Sequence, residues 1–158
     1  MSPHEELIRR FELGINALEE ALRGVPEEML DRPPAPGKWT IREIAAHLAD
    51  AEVVISTRMR WVAAEPGSPL KAFDQDKWAA SLGYGCQSPQ DSLDVFRALR
   101  RASARMLRSL PEAAWNRTGH HEERGELSLQ QLVEGSCGHG ERHAQQILDV
   151  RHSFPLAA

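Results

Sequence analysis

Hydrophobic side chains recur every three or four residues along four long stretches of the chain, which is the pattern of amphipathic helices. Each stretch opens on a side chain that can cap a helix: Ser2, Thr40, Ser88 and Ser128. In three of them a Glu or Gln three residues later predicts a capping box: Glu5, Glu43 and Gln131. The pattern predicts four long helices, over residues 2–23, 40–65, 88–110 and 128–153.

The segments between these helices are rich in Pro and Gly and cannot be single regular elements. The connectors span residues 25–39, 66–87 and 111–127. In the middle connector, Phe73, Trp78 and Leu82 predict a short helix or a packed loop. No segment alternates convincingly between apolar and polar residues, so we expect no strands. The pattern predicts an all-α fold, a four-helix bundle of the up-and-down type, in a single domain over residues 1–158.

Five arginines crowd the third predicted helix beside its apolar stripe. They are Arg97, Arg100, Arg101, Arg105 and Arg108. We interpret this run as a solvated face, because the long aliphatic stems of arginine can cover such a surface. Nineteen basic and twenty-three acidic residues give the chain a net charge of −4, so we expect no nucleic-acid partner.

The longest uncharged apolar run is far too short to span a bilayer, and charged residues interrupt any signal-peptide pattern at the start. We therefore expect a cytoplasmic protein with no membrane partner. The two cysteines, Cys86 and Cys137, are too few for a disulfide framework, and we expect free thiols rather than metal ligands.

Seven histidines are many for a chain of this length, and two of them lie in the apolar stripe of the fourth helix. His139 and His143 are four residues apart, so their side chains are neighbours and can share one metal ion. His47 lies at the edge of the apolar stripe of the second helix, from where it can reach the same interior. The alternative is a set of core histidines satisfied by hydrogen bonds.

The surroundings of these histidines favour a metal site. Gly135, Gly138 and Gly140 weaken the fourth helix unless something there needs close approach or free space. Three protein ligands with an open position are typical of catalytic metal sites. Asp50 and Gln146 are candidates to orient a ligand by hydrogen bonding, with a plain position at the helix surface as the alternative.

Two motifs resemble those of the DinB/YfiT-like superfamily. Residues 37–52 (GKWTIREIAAHLADAE) are similar to its second-helix signature, and residues 139–147 (HGERHAQQI) are similar to its closing H-x-x-x-H-x-x-Q-I motif. Their order, their spacing and the Pro-rich lead-in also fit, so the resemblance covers nearly the whole chain. It implies a four-helix bundle in which three histidines hold a divalent metal, zinc or nickel. The implied ligands are His47, His139 and His143.

The resemblance also implies a class of partner. Better-understood relatives use low-molecular-weight thiols such as bacillithiol or mycothiol, as S-transferases or as a maleylpyruvate isomerase, and members commonly form homodimers. We therefore expect a homodimeric, metal-dependent S-transferase that joins such a thiol to a small electrophilic substrate. The alternatives are a metal-dependent hydrolase and a non-enzymatic stress protein that binds a metal or a small ligand.

Four further residues are candidates for the walls of this site. Trp39 and Trp61 either line a pocket or pack in the core. His120 and His121, in the third connector, either reach the mouth of the site or form a solvated pair in a loop.

Overall fold

The computed structural model describes residues 2–154, and four long helices lie where the apolar pattern predicts them. They are α1 (Pro3–Leu22), α3 (Ile41–Ala64), α5 (Pro89–Ser109) and α6 (Leu129–Ser153). The connectors contain two short helices, α2 (Glu27–Leu30) and α4 (Gln75–Ser81), and 3-10 turns at Tyr84–Cys86 and Glu112–Asn116. Of the two alternatives predicted around Trp78, a short helix or a packed loop, the structure has the short helix. Met1 and residues 155–158, which the predicted domain includes, lie outside the described residues.

Side-chain caps begin the long helices as predicted. The capping boxes of α3 and α6 are complete. At α1, Ser2 accepts a hydrogen bond from the backbone N–H of Glu5, whereas the carboxylate of Glu5 binds Arg108. That box is half formed, because an ion pair with α5 competes for the carboxylate.

The long helices form the predicted four-helix bundle, but not in the up-and-down order, in which each long helix packs against the next one along the chain. α1 packs against α5 and α6, and α3 packs against the same two helices. α1 and α3 therefore lie on one diagonal of the bundle, and α5 and α6 lie on the other. As a result α3 and α6, which carry the candidate histidines, are direct neighbours. None of the helices in the described part of the chain is long and apolar enough to cross a membrane.

The expectation that the chain forms no strands is wrong. β1 (Pro69–Leu70), β2 (Thr118–His121) and β3 (Gly125–Ser128) form a sheet in this order, with β1 parallel to β2 and β2 antiparallel to β3. Gly125 opens β3 with a φ of +72°, which favours glycine after the tight turn. Strands of two and four residues are too short for an alternating pattern to be recognised in the sequence.

The interpretation of the five arginines as a solvated face is wrong for Arg100, whose side chain is 1% exposed. Its Nε donates a hydrogen bond to Glu52 of α3 at 3.1 Å. Its Nη1 donates to the carbonyl of Phe11 in α1, and its Nη2 donates to the carbonyl of Ser136 in α6, both at 2.8 Å. One buried side chain thus connects all four long helices.

Candidate metal centre

His47 of α3 and His139 and His143 of α6 bring their rings together inside the bundle. The ring centroids are 5.0 Å apart for His47 and His139, 4.7 Å for His47 and His143, and 4.5 Å for His139 and His143. One nitrogen from each ring lies within 4.8 Å of the other two. The Nε2 atoms of His47 and His139 are 3.0 Å apart. Two neighbouring helices therefore place three imidazole nitrogens around one point.

Burial keeps these imidazoles neutral. Loss of hydration lowers the pKa of His47 to about 4, and the nearby His143 adds to the effect. Burial, with contributions from both neighbouring rings, lowers the pKa of His139 to about 3. Burial also lowers the pKa of His143. At neutral pH all three rings keep a lone pair, which is the protonation state that metal binding requires.

A hydrogen bond orients the ring of His143, whereas one ring nitrogen of His47 has no hydrogen-bond partner among the described residues. Nδ1 of His143 donates to the side-chain oxygen of Gln146 at 2.7 Å, which leaves the lone pair of the ring on Nε2. The buried Nδ1 of His47 has no hydrogen-bond partner among residues 2–154. Asp50 accepts a hydrogen bond from the hydroxyl of Tyr84 at 2.8 Å. Gln146 thus contacts a candidate ligand directly, and the role predicted for Asp50 stays a prediction.

The donor set fits a divalent transition metal. Neutral imidazoles are typical ligands of zinc, nickel, copper and iron. Nε2 of His47, and not the unpaired Nδ1, is the nitrogen that faces His139. Neither cysteine belongs to the set, since Cys137 is buried elsewhere in the core and Cys86 is exposed. Three protein ligands leave coordination positions for a substrate.

A cavity of about 510 Å³ opens beside His47 and His139. Its wall includes Arg58 of α3, Phe73 from the segment after β1, and Arg124 from the turn between β2 and β3. The ring of Phe73 packs against His47 with centroids 6.4 Å apart. The small sheet therefore positions one side of the cavity.

Sequence reasoning missed Arg58, Phe73 and Arg124. Arg58 follows His47 by eleven residues, which is about 20° away around an ideal helix. Helical periodicity alone could therefore have indicated Arg58. No comparable signal marks Phe73 or Arg124, because their positions depend on the sheet.

His120 and His121 lie in β2 and not in a solvated loop. His120 is exposed, whereas His121 is 4% exposed. Nδ1 of His121 accepts hydrogen bonds from the backbone N–H groups of Glu123 and Arg124, at 3.2 and 3.3 Å. The alternative of a solvated pair in a loop is therefore wrong for His121, which shapes the turn that carries Arg124.

The two tryptophans differ in their relation to the histidines. The ring of Trp39 lies 4.9 Å from His47 and 6.5 Å from His143, measured between centroids. Trp61 is 43% exposed and is not part of the cavity wall. Trp39 therefore covers one side of the histidine cluster, and Trp61 does not.

The three glycines of α6 differ in how closely other groups approach them. A Cβ on Gly140 would lie 2.8 Å from Nη2 of Arg100, and a Cβ on Gly138 would lie 3.2 Å from Nη1 of Arg142. A Cβ on Gly135 would meet nothing within 4 Å, and Gly135 lines the cavity. Close approach of the buried Arg100 accounts for Gly140, whereas the exposed Arg142 can move away from Gly138 and nothing near Gly135 requires a glycine.

Comparison with models of known protein families identifies the family of this chain. The family model described as the DinB superfamily matches residues 10–147. The chain belongs to the DinB superfamily. The resemblance carried by the two motifs of α3 and α6 is thereby confirmed.

Curated DinB relatives cover most of the chain. A protein of Geobacillus kaustophilus with the name "Putative metal-dependent hydrolase GK0616" is 32% identical over 135 residues, which are 85% of this chain and 76% of the relative. A protein of Oceanobacillus iheyensis with a similar name is 28% identical over 133 residues, which are 84% of this chain and 77% of the relative.

Solved structures share the DinB fold at low sequence identity. YfiT from Bacillus subtilis, described as "a probable metal-dependent hydrolase with an unusual four-helix bundle topology", has a TM-score of 0.88 and 21% identity. That match covers 96% of this chain and 89% of YfiT. A mycothiol-dependent maleylpyruvate isomerase has a TM-score of 0.75 and 17% identity, over 92% of this chain and 61% of the isomerase. At sequence identities this low, these structural matches show a shared fold and nothing more.

Proposed function

We propose that this DinB protein is a metal-dependent enzyme that transfers a low-molecular-weight thiol to a small electrophilic substrate. In this proposal His47, His139 and His143 hold a divalent cation, zinc or nickel. The convergence of three neutral imidazoles beside a cavity carries the proposal. The names of the curated relatives support metal dependence, and the mycothiol dependence of the isomerase supports the use of a thiol. The proposed assembly is a cytoplasmic homodimer.

A divalent cation supplies Lewis acidity at such a site, which lowers the pKa of a bound thiol or water. The residues of the chain prepare the site for it. Gln146 holds the ring of His143, and Trp39 and Phe73 pack against His47 and exclude water from that side. In the proposed transfer a sulfur–carbon bond forms, the leaving group departs with its bonding electrons, and the thiol proton passes to solvent.

Hydrolysis is the second candidate, because the curated relatives carry that name and because one carboxylate, Glu134, lines the cavity. A hydrolase needs a general base to activate water. Within residues 2–154, however, no carboxylate hydrogen-bonds to the three imidazoles. A thiol, which ionises far more readily than water, has less need of such a base, and this favours transfer.

Substitution of a single histidine tests the metal centre. His143→Ala is expected to lose most of the bound metal, measured by elemental analysis of purified protein, while circular dichroism shows that the helices remain. His120→Ala, which removes an exposed histidine of β2, is the matched control and is expected to keep its metal. Undiminished metal in His143→Ala would refute the ligand assignment.

Two activity assays separate the reactions. Conjugation of a chlorinated dinitrobenzene only in the presence of both metal and thiol supports transfer. Cleavage of a nitrophenyl ester without thiol, abolished in Glu134→Gln, instead indicates a hydrolase. Absence of both activities, with a large metal-dependent rise in melting temperature, would indicate a metal that only stabilises the bundle.

A further inference from the structure

Arg58 is a buried arginine without an acidic partner. Its side chain is 8% exposed in the wall of the cavity. One end of its guanidinium donates to the carbonyl of Lys71, but the buried Nε has no hydrogen-bond partner among the described residues. Buried charges in proteins are normally paired or fully hydrogen-bonded. The guanidinium of Arg58 therefore lies in the cavity wall with a single protein acceptor and can donate to a further acceptor on a ligand.

Two further arginines line the same cavity from other elements. Arg124 lies on the turn between β2 and β3, and Arg142 lies on α6. The charge of Arg124 is close enough to reinforce burial in lowering the pKa of Arg58. Gly138 leaves room for the guanidinium of Arg142, which would approach a Cβ there to 3.2 Å. Within residues 2–154 neither arginine forms an ion pair, so both charges remain available to a ligand.

Acidic side chains lie near this cluster but form no ion pair with its arginines within residues 2–154. Glu134, the acidic residue in the cavity wall, already accepts a hydrogen bond from a glutamine side chain at 2.8 Å. Glu122 and Glu123 are near enough for their charges to act on Arg58, but neither forms an ion pair with it among the described residues and neither lines the cavity. Three arginines against one glutamate therefore line a cavity in a chain whose net charge is −4. A local excess of positive charge in a cleft attracts anionic ligands.

We infer that this cavity binds an oxyanion group, a carboxylate or a phosphate, on one of the reacting small molecules, with Arg58 as the central donor. A guanidinium offers two parallel N–H groups, which suit two oxygens of such a group. His47 and His139 line the same cavity, so an anion held at Arg58 places the rest of a small molecule beside the histidines. The inference rests on the proposed function only for the statement that the bound molecule reacts there.

Calorimetric titration of the full-length protein tests the anion site without any reaction. The probes are succinate, its uncharged diamide succinamide, and inorganic phosphate, each added to metal-free and to zinc-loaded protein. We expect at least one of the anions to bind the metal-free protein, succinamide not to bind, and added salt to weaken the binding. Whichever anion binds identifies the group.

Arginine variants locate the bound anion. Arg58→Gln is expected to weaken binding about tenfold or more, because a charge-assisted hydrogen bond is lost. Arg105→Gln removes the same charge from an exposed position on α5, outside the cavity wall, and is expected to bind as the wild type does. Arg124→Gln and Arg142→Gln, at less buried positions, are each expected to weaken anion binding several-fold. These two variants test the site if Arg58→Gln does not fold.

The outcomes separate this inference from the metal proposal. Failure of every anion to bind, or equal binding by all the arginine variants, would overturn the anion site. Binding that needs zinc and ignores the arginines would overturn it while supporting the metal centre. Arginine-dependent binding that persists in His143→Ala would support the anion site even if the metal proposal failed.

Discussion

The two buried arginines of this bundle differ in whether the chain itself supplies their acceptors. Arg100 finds them on three other helices, and its guanidinium also lies over the rings of Phe11 and Phe96, 4.5 and 4.3 Å from their centroids. Arg58 finds one carbonyl and leaves a buried N–H group unpaired. A satisfied polar network fixes one packing arrangement, whereas a guanidinium with a single protein acceptor in a cavity wall can still donate to a ligand.

The satisfied network lies directly beside the candidate metal centre. Ser136, which accepts from Arg100, precedes His139 by one turn of α6. Glu52 is buried, and burial raises its pKa while the charge of Arg100 opposes that rise. Arg100 therefore holds α3 and α6 in register next to the histidines that they carry.

Replacing each buried arginine with methionine is expected to give the largest difference in the free energy of unfolding. Arg100→Met leaves Glu52 buried without its cation, so we expect a loss of about 3–5 kcal/mol in the free energy of unfolding. Arg58→Met removes an unpaired buried charge, so we expect a change within about 1 kcal/mol or a gain. Urea unfolding of the metal-free proteins, followed by circular dichroism, measures both. Equal losses would show that the two arginines do not differ in this way.

Two glycine substitutions test the packing around Arg100 and are expected to change the stability by smaller amounts. A Cβ on Gly14 of α1 would lie 2.0 Å from Nη1 of Arg100 and would force the guanidinium to move. We expect Gly14→Ala to destabilise the protein by about 1–3 kcal/mol. Gly135→Ala points into free space and is expected to gain up to about 1 kcal/mol from better helix propensity. The melting temperatures of the two variants measure these changes in stability. A stabilised Gly14→Ala would contradict the tight packing around Arg100.

The smallest effect is expected at Arg108, on the same helix as Arg100 but 37% exposed. Arg108 binds Glu5 and Glu12, and Arg108→Gln is expected to cost less than about 1 kcal/mol because solvent screens the pairs. The hydrogen bond from Arg108 lowers the pKa of Glu12 below its usual 4.5.

The lowered pKa of Glu12 fixes the sign of the pH dependence. The pair stabilises the folded chain above pH 4.5, and this contribution is lost as the pH falls through the lower pKa of the folded state. The difference between wild type and Arg108→Gln in unfolding free energy is therefore expected to shrink from pH 7 to pH 3. A difference that stays constant over this range would contradict the assignment.

The position of Arg100 was readable from the sequence, although its charge obscured it. Arg100 follows Leu93 by seven residues and Phe96 by four, and it precedes Leu107 by seven. These intervals place it on the apolar face of α5, where the structure finds it. The phase of an apolar stripe is thus a better guide to burial than the charge of a single residue within it.

The sequence by itself determined the four long helices, their caps and the two histidine-bearing faces, because capping and helical periodicity are properties of neighbouring residues. Only the tertiary structure decided that α3 and α6 are neighbours, that Pro69 pairs with His120, and that Arg58 and Arg124 share a cavity with the histidines. These arrangements join segments far apart in the chain. Their stability comes from packing and strand pairing across the bundle, which no local pattern records.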